Sequence, residues 1–495
     1  MAVRSNNEKI LFGVKLRHLR KQAGFAFSDF SKKTGMSISY LNEIEKGKKY
    51  PKQDKIMALA DALSVDPEFL TSTKIPNQLK PIKDLLESNF LNELPLDLFG
   101  INLNKIIEII ADSPVKVGAF ISTLVEIARN YSLQEENFYF GALRSYLEIN
   151  NNYFEELEDA VIAFRKKHSL SGVTIAEEAL RTILTDHFNY KIVNDGLSDY
   201  PELREIRSVF RPEDRTLLLN ASLEKQQKIF QFAKEIGFQE LGLVDRALTA
   251  SIIRVENFEQ ALSHFSASYF SAALIVSRDA FIEDMKNLFA QERWNPQSLK
   301  DISLKYNATH EVIFQRMTNI LPRFLGLSKI FIQRNSLNPR NGKVNIEREL
   351  HIEEKHRPHF SALGEHYCRR WISVALLYKL NNLEEPRERF EPLVEAQISE
   401  YHNTSDTYLC MTMATSKLQF GKMVSLTIGI KVDDNLKHKI RFYQDQTIPT
   451  RTVNITCERC PITDCEDRVS EPIQLHNKLK KQAIQKALND ILNAK

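Results

Sequence analysis

Residues 25–51, FAFSDFSKKTGMSISYLNEIEKGKKYP, constrain the fold more than any other stretch. Residues 27–34 carry a helical pattern that stops at Gly35, and a second helix is expected from about Ile38 to Lys46, ended by Gly47. A residue without a Cβ reaches the left-handed backbone region cheaply, so Gly35 suits a turn between two helices. Ser37 is placed to accept from the free N–H groups of the second helix. That helix is expected to bury Leu41 and Ile44 and to turn Ser39, Tyr40, Asn42, Glu43 and Lys46 outward. Two short helices joined in this way form a helix-turn-helix, whose second helix enters the major groove of DNA. The stretch predicts a DNA-contacting end.

A chain of 495 residues has room for two to four domains. Hydrophobic content of 43% and charged content of 26% are those of a soluble protein. No apolar run approaches the roughly 18 residues that cross a bilayer. MAVRSNNEK lacks a signal-peptide core, so a cytoplasmic location is expected, with no membrane partner. Residues 1–75 hold 14 Lys and Arg against 8 Asp and Glu, whereas the whole chain holds 67 against 64. The basic excess coincides with the helix-turn-helix, as phosphate contact requires.

Residues 8–72 read as five helices. Leu11, Val14, Leu16 and Leu19 carry the first, Ile56, Leu59, Ala60 and Leu63 the fourth, and Pro67 opens the last. The pattern G-x-x-L-R-x-L-R (13–20), the helix-turn-helix, E-K-G-x-x-x-P (45–51) and A-L-x-V (62–65) together resemble the XRE/Cro-type repressors. The resemblance implies that Ser37, Ser39, Tyr40, Asn42 and Lys46 face DNA and that Arg17, Lys21 and Lys48 meet phosphates. The family usually starts its second helix with Ser-Gln, an N-cap and a polar DNA contact, where this chain has Ala26 and Phe27.

Residues 75–167 read as a helical connector and dimerisation region. NLNKIIEIIADS and VGAFISTLVEIARNY have helical spacing, and YLEINNNYFEELEDAVIAFRKKH (146–168) is expected as one long helix.

In residues 168–328, a helix and strand over 170–193 precede a strand entering a helix at 215–223, a helix over 226–243 and another over 264–281. This order resembles the ImmA/IrrE metallopeptidase-like domain. That family holds zinc with two histidines of H-E-x-x-H, one helical turn apart, and uses the glutamate to activate water. Here the motif positions hold Lys234, Glu235, Ile236, Gly237 and Phe238, so only the glutamate remains; His264 and Ser266 lie near the third-ligand position. The chain is therefore expected to keep the α+β fold without peptidase activity and without catalytic residues. Two further helices are expected over 301–321, with His310 a surface or capping residue.

Residues 329–495 change character. IFIQRN, TYLCMTMATS, MVSLTIGIKV and KIRFYQ are short β-type runs, SALGEHYCRRWISVALLYKL (361–380) reads as a helix, and an amphipathic helix with Leu475, Leu479, Ile484, Leu488 and Leu492 closes the chain. The expected class is mainly α with α+β parts, this last one a cysteine-bearing α+β domain. Cys457, Cys460 and Cys465 form C-x2-C-x4-C, three thiols in a nine-residue loop. Clustered thiols in a reducing compartment point to metal or redox chemistry. A fourth ligand would come from Cys368 or Cys410, of which Cys410 sits in an apolar strand as a small hydrophobe. Spacing alone leaves zinc and iron–sulfur both open.

An XRE domain, a degenerate ImmA/IrrE-like domain and a C-terminal cysteine cluster, in that order, resemble the short-chain fatty acyl-CoA regulators. Their early cysteine stands in C-P-L-W; Cys368 and Trp371 match it, with Arg369 and Arg370 in place of Pro-Leu. The resemblance implies a dimeric regulator of a double-stranded DNA operator that senses a short-chain acyl-CoA. It also implies a [4Fe–4S] cluster on Cys368, Cys457, Cys460 and Cys465, with zinc the alternative. Two competing readings are a phage- or plasmid-type repressor or antitoxin without a small effector, and, least favoured, a zinc peptidase.

Overall fold

Five helices account for residues 6–71 in the computed structural model, which describes residues 6–72, 135–249, 255–352, 364–383, 391–402, 404, 406–417 and 422–493. They are α1 (Asn6–Gln22), α2 (Phe27–Thr34), α3 (Ile38–Glu45), α4 (Gln53–Leu63) and α5 (Pro67–Thr71). Phe12, Leu16, Phe30, Met36, Leu41, Ile44, Leu59 and Leu70 form their common core. The buried side of α1 is Ile10, Phe12, Val14 and Leu16, while Leu11 and Leu19 of the expected row are only half-buried. The rotation follows from Gly13, where a Cβ would collide with the carbonyl of Ile44, so α1 and α3 touch backbone to backbone there.

The two apolar helices expected in 75–134 lie outside the described residues. The helix expected over 146–168 is two helices, α6 (Glu135–Ile149) and α7 (Glu155–Lys167). Asn151 and Asn152 adopt left-handed φ of 49° and 52° between them, which Asn tolerates better than most residues. Tertiary contacts fix the break: Asn152 Nδ2 donates to Thr318 Oγ1 (2.8 Å) and its carbonyl accepts from Asn319 Nδ2 (2.7 Å).

The chain then runs through α8 (Glu177–Thr182), β1 (Lys191–Val193), β2 (Ser208–Arg211), β3 (Thr216–Leu219) and α9 (Lys225–Glu240). The small sheet has the order β1-β3-β2, β1 parallel and β2 antiparallel to β3. The helix expected over 264–281 is instead α10 (Phe258–Ile275) and α11 (Arg278–Phe289). Fully buried Arg316 accounts for the break. Its Nε donates to the Val276 carbonyl (3.0 Å), while Nη1 and Nη2 grip Glu158 at 2.5 and 2.8 Å. Helices α12 (Pro296–Lys305) and α13 (His310–Ile320) follow as expected; His310 opens α13 behind its cap Thr309.

The rest forms one six-stranded sheet of order β5-β4-β8-β7-β6-β9: β4 (Ile330–Asn338), β5 (Lys343–Ile352), β6 (Leu393–Tyr401), β7 (Thr407–Lys417), β8 (Lys422–Lys431) and β9 (Thr450–Val453). Only β6–β9 is parallel. The helix α14 (Ile372–Asn381) covers one face with Val374, Leu377 and Leu380; α12 and α13 pack from the other. Of the stretch expected as helix over 361–380, only the part from Ile372 is helical, and 361–363 lie outside the described residues. The β-type run KIRFYQ is a correction as well. It forms the end of α15 (Asp434–Lys439) and a 3-10 turn (Arg441–Gln444), because the Asp433 side chain caps the helix at Leu436 N (3.0 Å) and Phe442 packs against Phe289 and Trp294. The closing helix α16 (Ile473–Asn493) forms, with no buried residue: Leu479, Ile484, Leu488 and Leu492 are all exposed.

The chain divides into two compact units, residues 1–146 with 255–258 and residues 147–254 with 259–495.

Candidate functional site

In the helix-turn-helix, Gly35 takes φ 68° and Gly47 φ 67°, and Ser37 caps α3 by accepting from Tyr40 N at 3.2 Å. The N-terminus of α2 has no side-chain cap; Phe27, where the related repressors carry Gln, lies instead under the Arg20 guanidinium at 4.0 Å. The orientation of α3 is set from behind. Arg20 forks onto Glu45 in a buried pair (Nε–Oε1 2.6 Å, Nη2–Oε2 2.9 Å), and Nη1 donates to the Phe25 carbonyl. A planar bidentate pair fixes angle as well as distance. Ser37, Ser39 and Lys48 are exposed, and Tyr40, Asn42 and Lys46 are half-buried, all on or beside α3. Arg17 is half-buried and Lys21 exposed on α1. Glu43 pairs with Lys49 at 2.7 Å.

In the central fold, α9 carries the degenerate motif and α10 carries His264. Lys234 Nζ reaches His264 Nε2 at 2.6 Å, a hydrogen bond between α9 and α10. Both Glu235 oxygens are engaged by Arg246 (Nη1–Oε2 2.7 Å, Nη2–Oε1 2.8 Å), and Tyr190 Oη donates to Oε2 at 3.1 Å. The Arg246 guanidinium stacks on Phe238 at 3.6 Å. Burial pulls Lys234 down to about 7; Glu235 opposes this, while the charges of Arg246, Arg207 and Arg348 add to it. Burial and the Glu235 charge push Tyr190 well above the usual phenol range. Every polar group of the former motif is thus turned onto a neighbour.

In the C-terminal part, the segments around Cys368 and Cys457 are stitched side by side. Tyr367 and Thr456 form an antiparallel bridge; Cys368 N donates to Ile455 O (3.1 Å) and Cys457 N to His366 O (2.9 Å). Glu365 accepts from Arg459 at 2.8 and 2.7 Å and from Thr456 at 2.7 Å, and Glu458 accepts from His366 N at 2.9 Å. Arg370, one of the two residues replacing Pro-Leu, reaches Asp467 at 3.0 Å and ties the early cysteine segment to the late one. Arg468 donates to the carbonyls of Cys457 (2.9 Å), Cys460 (3.0 Å), Ile462 (2.5 Å) and Ser470 (3.2 Å), wrapping the loop around one guanidinium. Cys368, Cys457 and Cys460 are buried and Cys465 half-buried. Burial pushes the Cys368 thiol up to about 11, with Cys460 and Cys457 close enough to add to it. Cys410 is a buried strand residue, pushed up to about 12 by burial. Among the described residues no three His, Cys, Asp or Glu side chains stand in a metal-holding arrangement.

Comparison with known proteins agrees with two of these regions. A helix-turn-helix domain model matches residues 11–70, and an IrrE N-terminal-like domain model matches residues 173–318. The uncharacterized HTH-type transcriptional regulator YazB of Bacillus subtilis is 35% identical over 63 residues, 13% of this chain and 91% of that protein. The chain belongs to the XRE-type helix-turn-helix transcriptional regulators. The HTH-type transcriptional regulator RamB of Mycobacterium tuberculosis is 22% identical over 349 residues, 66% of this chain and 68% of RamB. A solved Mycobacterium tuberculosis transcriptional regulator covers 66% of this chain and 92% of its own at 16% identity, with a TM-score of 0.46.

In this XRE-type regulator, sequence reasoning singled out Glu235 and His264 but missed Arg246 and Tyr190, which engage Glu235. One signal was available: a lone buried glutamate without metal requires a counter-charge. Nothing in the sequence marked Arg468 or Arg370 as the fasteners of the cysteine loops. No helix among the described residues is long and apolar enough to cross a membrane.

Proposed function

We propose that this DNA-binding regulator acts in the cytoplasm as a homodimer on an operator and senses a short-chain acyl-CoA or related metabolite through residues 329–495. In this reading Cys368, Cys457, Cys460 and Cys465 hold a [4Fe–4S] cluster. The observation that supports it is the stitching of the 365–371 segment to the 454–468 loop, which runs the backbone of Cys368 alongside that of Cys457. The cluster would supply an electron-accepting, oxygen-sensitive centre; zinc on the same thiols would be a structural staple. Around it, Arg468 holds the loop backbone and Glu365 and Glu458 anchor the facing segment.

At the operator, Ser39, Tyr40, Asn42 and Lys46 would read base edges from α3, Ser37 would lie at its groove end, and Arg17, Lys21 and Lys48 would meet phosphates. A ligand changes operator affinity only by favouring one dimer arrangement over another. Peptidase activity has no support, because both Glu235 oxygens are taken by Arg246 and Lys234 and Phe238 replace the histidines. A phage- or plasmid-type repressor without an effector would share the DNA-binding end but leaves the fastened cysteines without a role.

Anaerobic purification followed by an absorption spectrum and iron, sulfide and zinc analysis tests the centre. About four irons with a broad band near roughly 400 nm are expected. One zinc without colour makes the thiols a staple, and neither metal removes the centre from the model of action. At the operator, Asn42→Ala is expected to cost about 1–3 kcal/mol of specific binding, read by fluorescence anisotropy against random DNA. Equal affinity of the parent for both DNAs would overturn the assignment of α3.

A further inference from the structure

β2 is the outer strand of the small sheet, and its edge is taken up by a segment just after α9. Phe210 N donates to the Leu248 carbonyl at 2.7 Å, and Val209 forms an antiparallel bridge with Thr249. Residues 244–249 belong to no helix or strand of their own; they form a strap laid on the sheet edge. Its side chains divide sharply. Val244 is 92% and Leu248 45% exposed, whereas the Arg246 side chain is only 7% accessible.

What receives Arg246 comes from outside the strap. Glu235 of α9 accepts from both ends of the guanidinium, at 2.7 and 2.8 Å. The Phe238 ring lies 3.6 Å from the guanidinium and the Phe210 ring 4.7 Å. Tyr190 stacks on Phe210 at 5.0 Å and donates its hydroxyl to Glu235, which holds the carboxylate in place. A forked carboxylate flanked by aromatic faces matches a planar guanidinium, which pairs bidentately and stacks. A buried carboxylate stripped of its cation is costly, so this socket calls for a guanidinium from whichever chain supplies it. Beside the socket, the β2 edge offers backbone pairing to any extended segment.

We propose that the Glu235–Phe238–Phe210 socket and the β2 edge form a docking site for an extended, arginine-bearing segment of a partner protein, with residues 244–249 as its internal plug. The seated strap fixes the chemistry: an arginine in the socket and, two residues later, a backbone carbonyl on Phe210 N. Exchanging one arginine for another leaves Glu235 paired in both end states, so the buried charge does not oppose the exchange. A partner segment gains where the strap does not, by burying side chains at the positions of exposed Val244 and Leu248. Lysine in place of arginine would lose both the fork and the stack. The site is independent of the cysteine loops and of any effector.

The test is fluorescence anisotropy of a labelled peptide copying residues 243–249, LVDRALT, with the full-length parent and with full-length Arg246→Ala, which lacks the plug. Circular dichroism checks that the variant folds. Saturable binding to Arg246→Ala, at least about tenfold tighter than to the parent and at least about tenfold tighter than that of the same peptide carrying Arg246→Ala, supports the site. The bound peptide should also raise the Tm of the variant. No saturable binding to the variant up to about 1 mM, equal affinity of the two peptides, or equal affinity of parent and variant would each overturn it. Ethylguanidinium binding as tightly as the peptide would make the socket a small-molecule site and overturn the segment reading. If Arg246→Ala does not fold, hydrogen exchange of the parent decides. With about 1 mM unlabelled peptide, faster exchange over 244–249 while the Phe210 amide stays protected supports the exchange of plug for partner, and no peptide-dependent change overturns it.

Discussion

Two regions of this regulator hold buried polar chemistry, and they hold it in opposite ways. Around Glu235 the former catalytic motif satisfies itself: carboxylate on guanidinium, lysine on histidine, phenol on carboxylate. Around Cys368 and Cys457 the backbones and surrounding side chains are fastened, but the thiols themselves are pushed toward their neutral form by burial. The first region neutralises its buried carboxylate with an internal cation. The second holds neutral, buried thiols within a hydrogen-bonded frame. A buried ion pair tolerates no loss of one partner, whereas a fastened loop can lose one tie and keep the rest.

That contrast can be broken most directly at Glu235. Arg246→Ala leaves a buried carboxylate unpaired and is expected to cost about 3–5 kcal/mol in urea unfolding. The double variant Glu235→Leu with Arg246→Met should recover most of that loss. A double variant as unstable as the single one would mean that the pair is not self-contained.

At the cysteine loops the expected effect is smaller. Arg468→Ala removes donors from four carbonyls and should cost about 2–3 kcal/mol. Alkylation of Cys457 and Cys460 in the metal-free protein should accelerate, and an unchanged labelling rate would dismiss Arg468 as the fastener.

Lys234 sharpens the comparison through pH. Its value is about 7 in the fold against an ordinary 10.5. Below about 7 it is charged in both folded and unfolded chains. Between the two values the unfolded chain holds the extra proton, so its contribution to stability rises with pH across that window. Lys234→Met should therefore flatten the rise in Tm from pH 7 to pH 10, and a parallel pH profile would contradict the neutral lysine on His264.

The smallest effect is expected from Arg370→Ala. Its pairing with Asp467 is partly exposed, with side chains 23% and 41% accessible, and such pairs contribute about 0.2–1 kcal/mol. A much larger loss would show that the two cysteine segments depend on this one latch.

Much of the N-terminal domain was legible because its determinants are local. Gly35, Ser37 and the 3.6-residue spacing of Leu41 and Ile44 specify turn, cap and buried face from neighbours in sequence. The large sheet was half-legible. Its apolar runs β4, β7 and β8 stand out, but β5 with its charged alternation, β6 and β9 do not. Strand pairing is between segments far apart in the chain, and KIRFYQ turned helical because a cap at Asp433 and aromatic packing on Phe442 outweigh strand propensity.

By itself, then, the sequence determined a DNA-reading helix, a metallopeptidase-like helix stripped of both histidines, and four cysteines in two distant segments. Only the tertiary structure decided that Arg246 occupies Glu235, that Arg370 ties the early cysteine segment to the late one, and that Arg468 wraps the late loop. The reason is that a charge chooses its partner by distance in space. Local pattern fixes which face a residue takes on its own element, while the long-range packing of elements fixes what stands opposite.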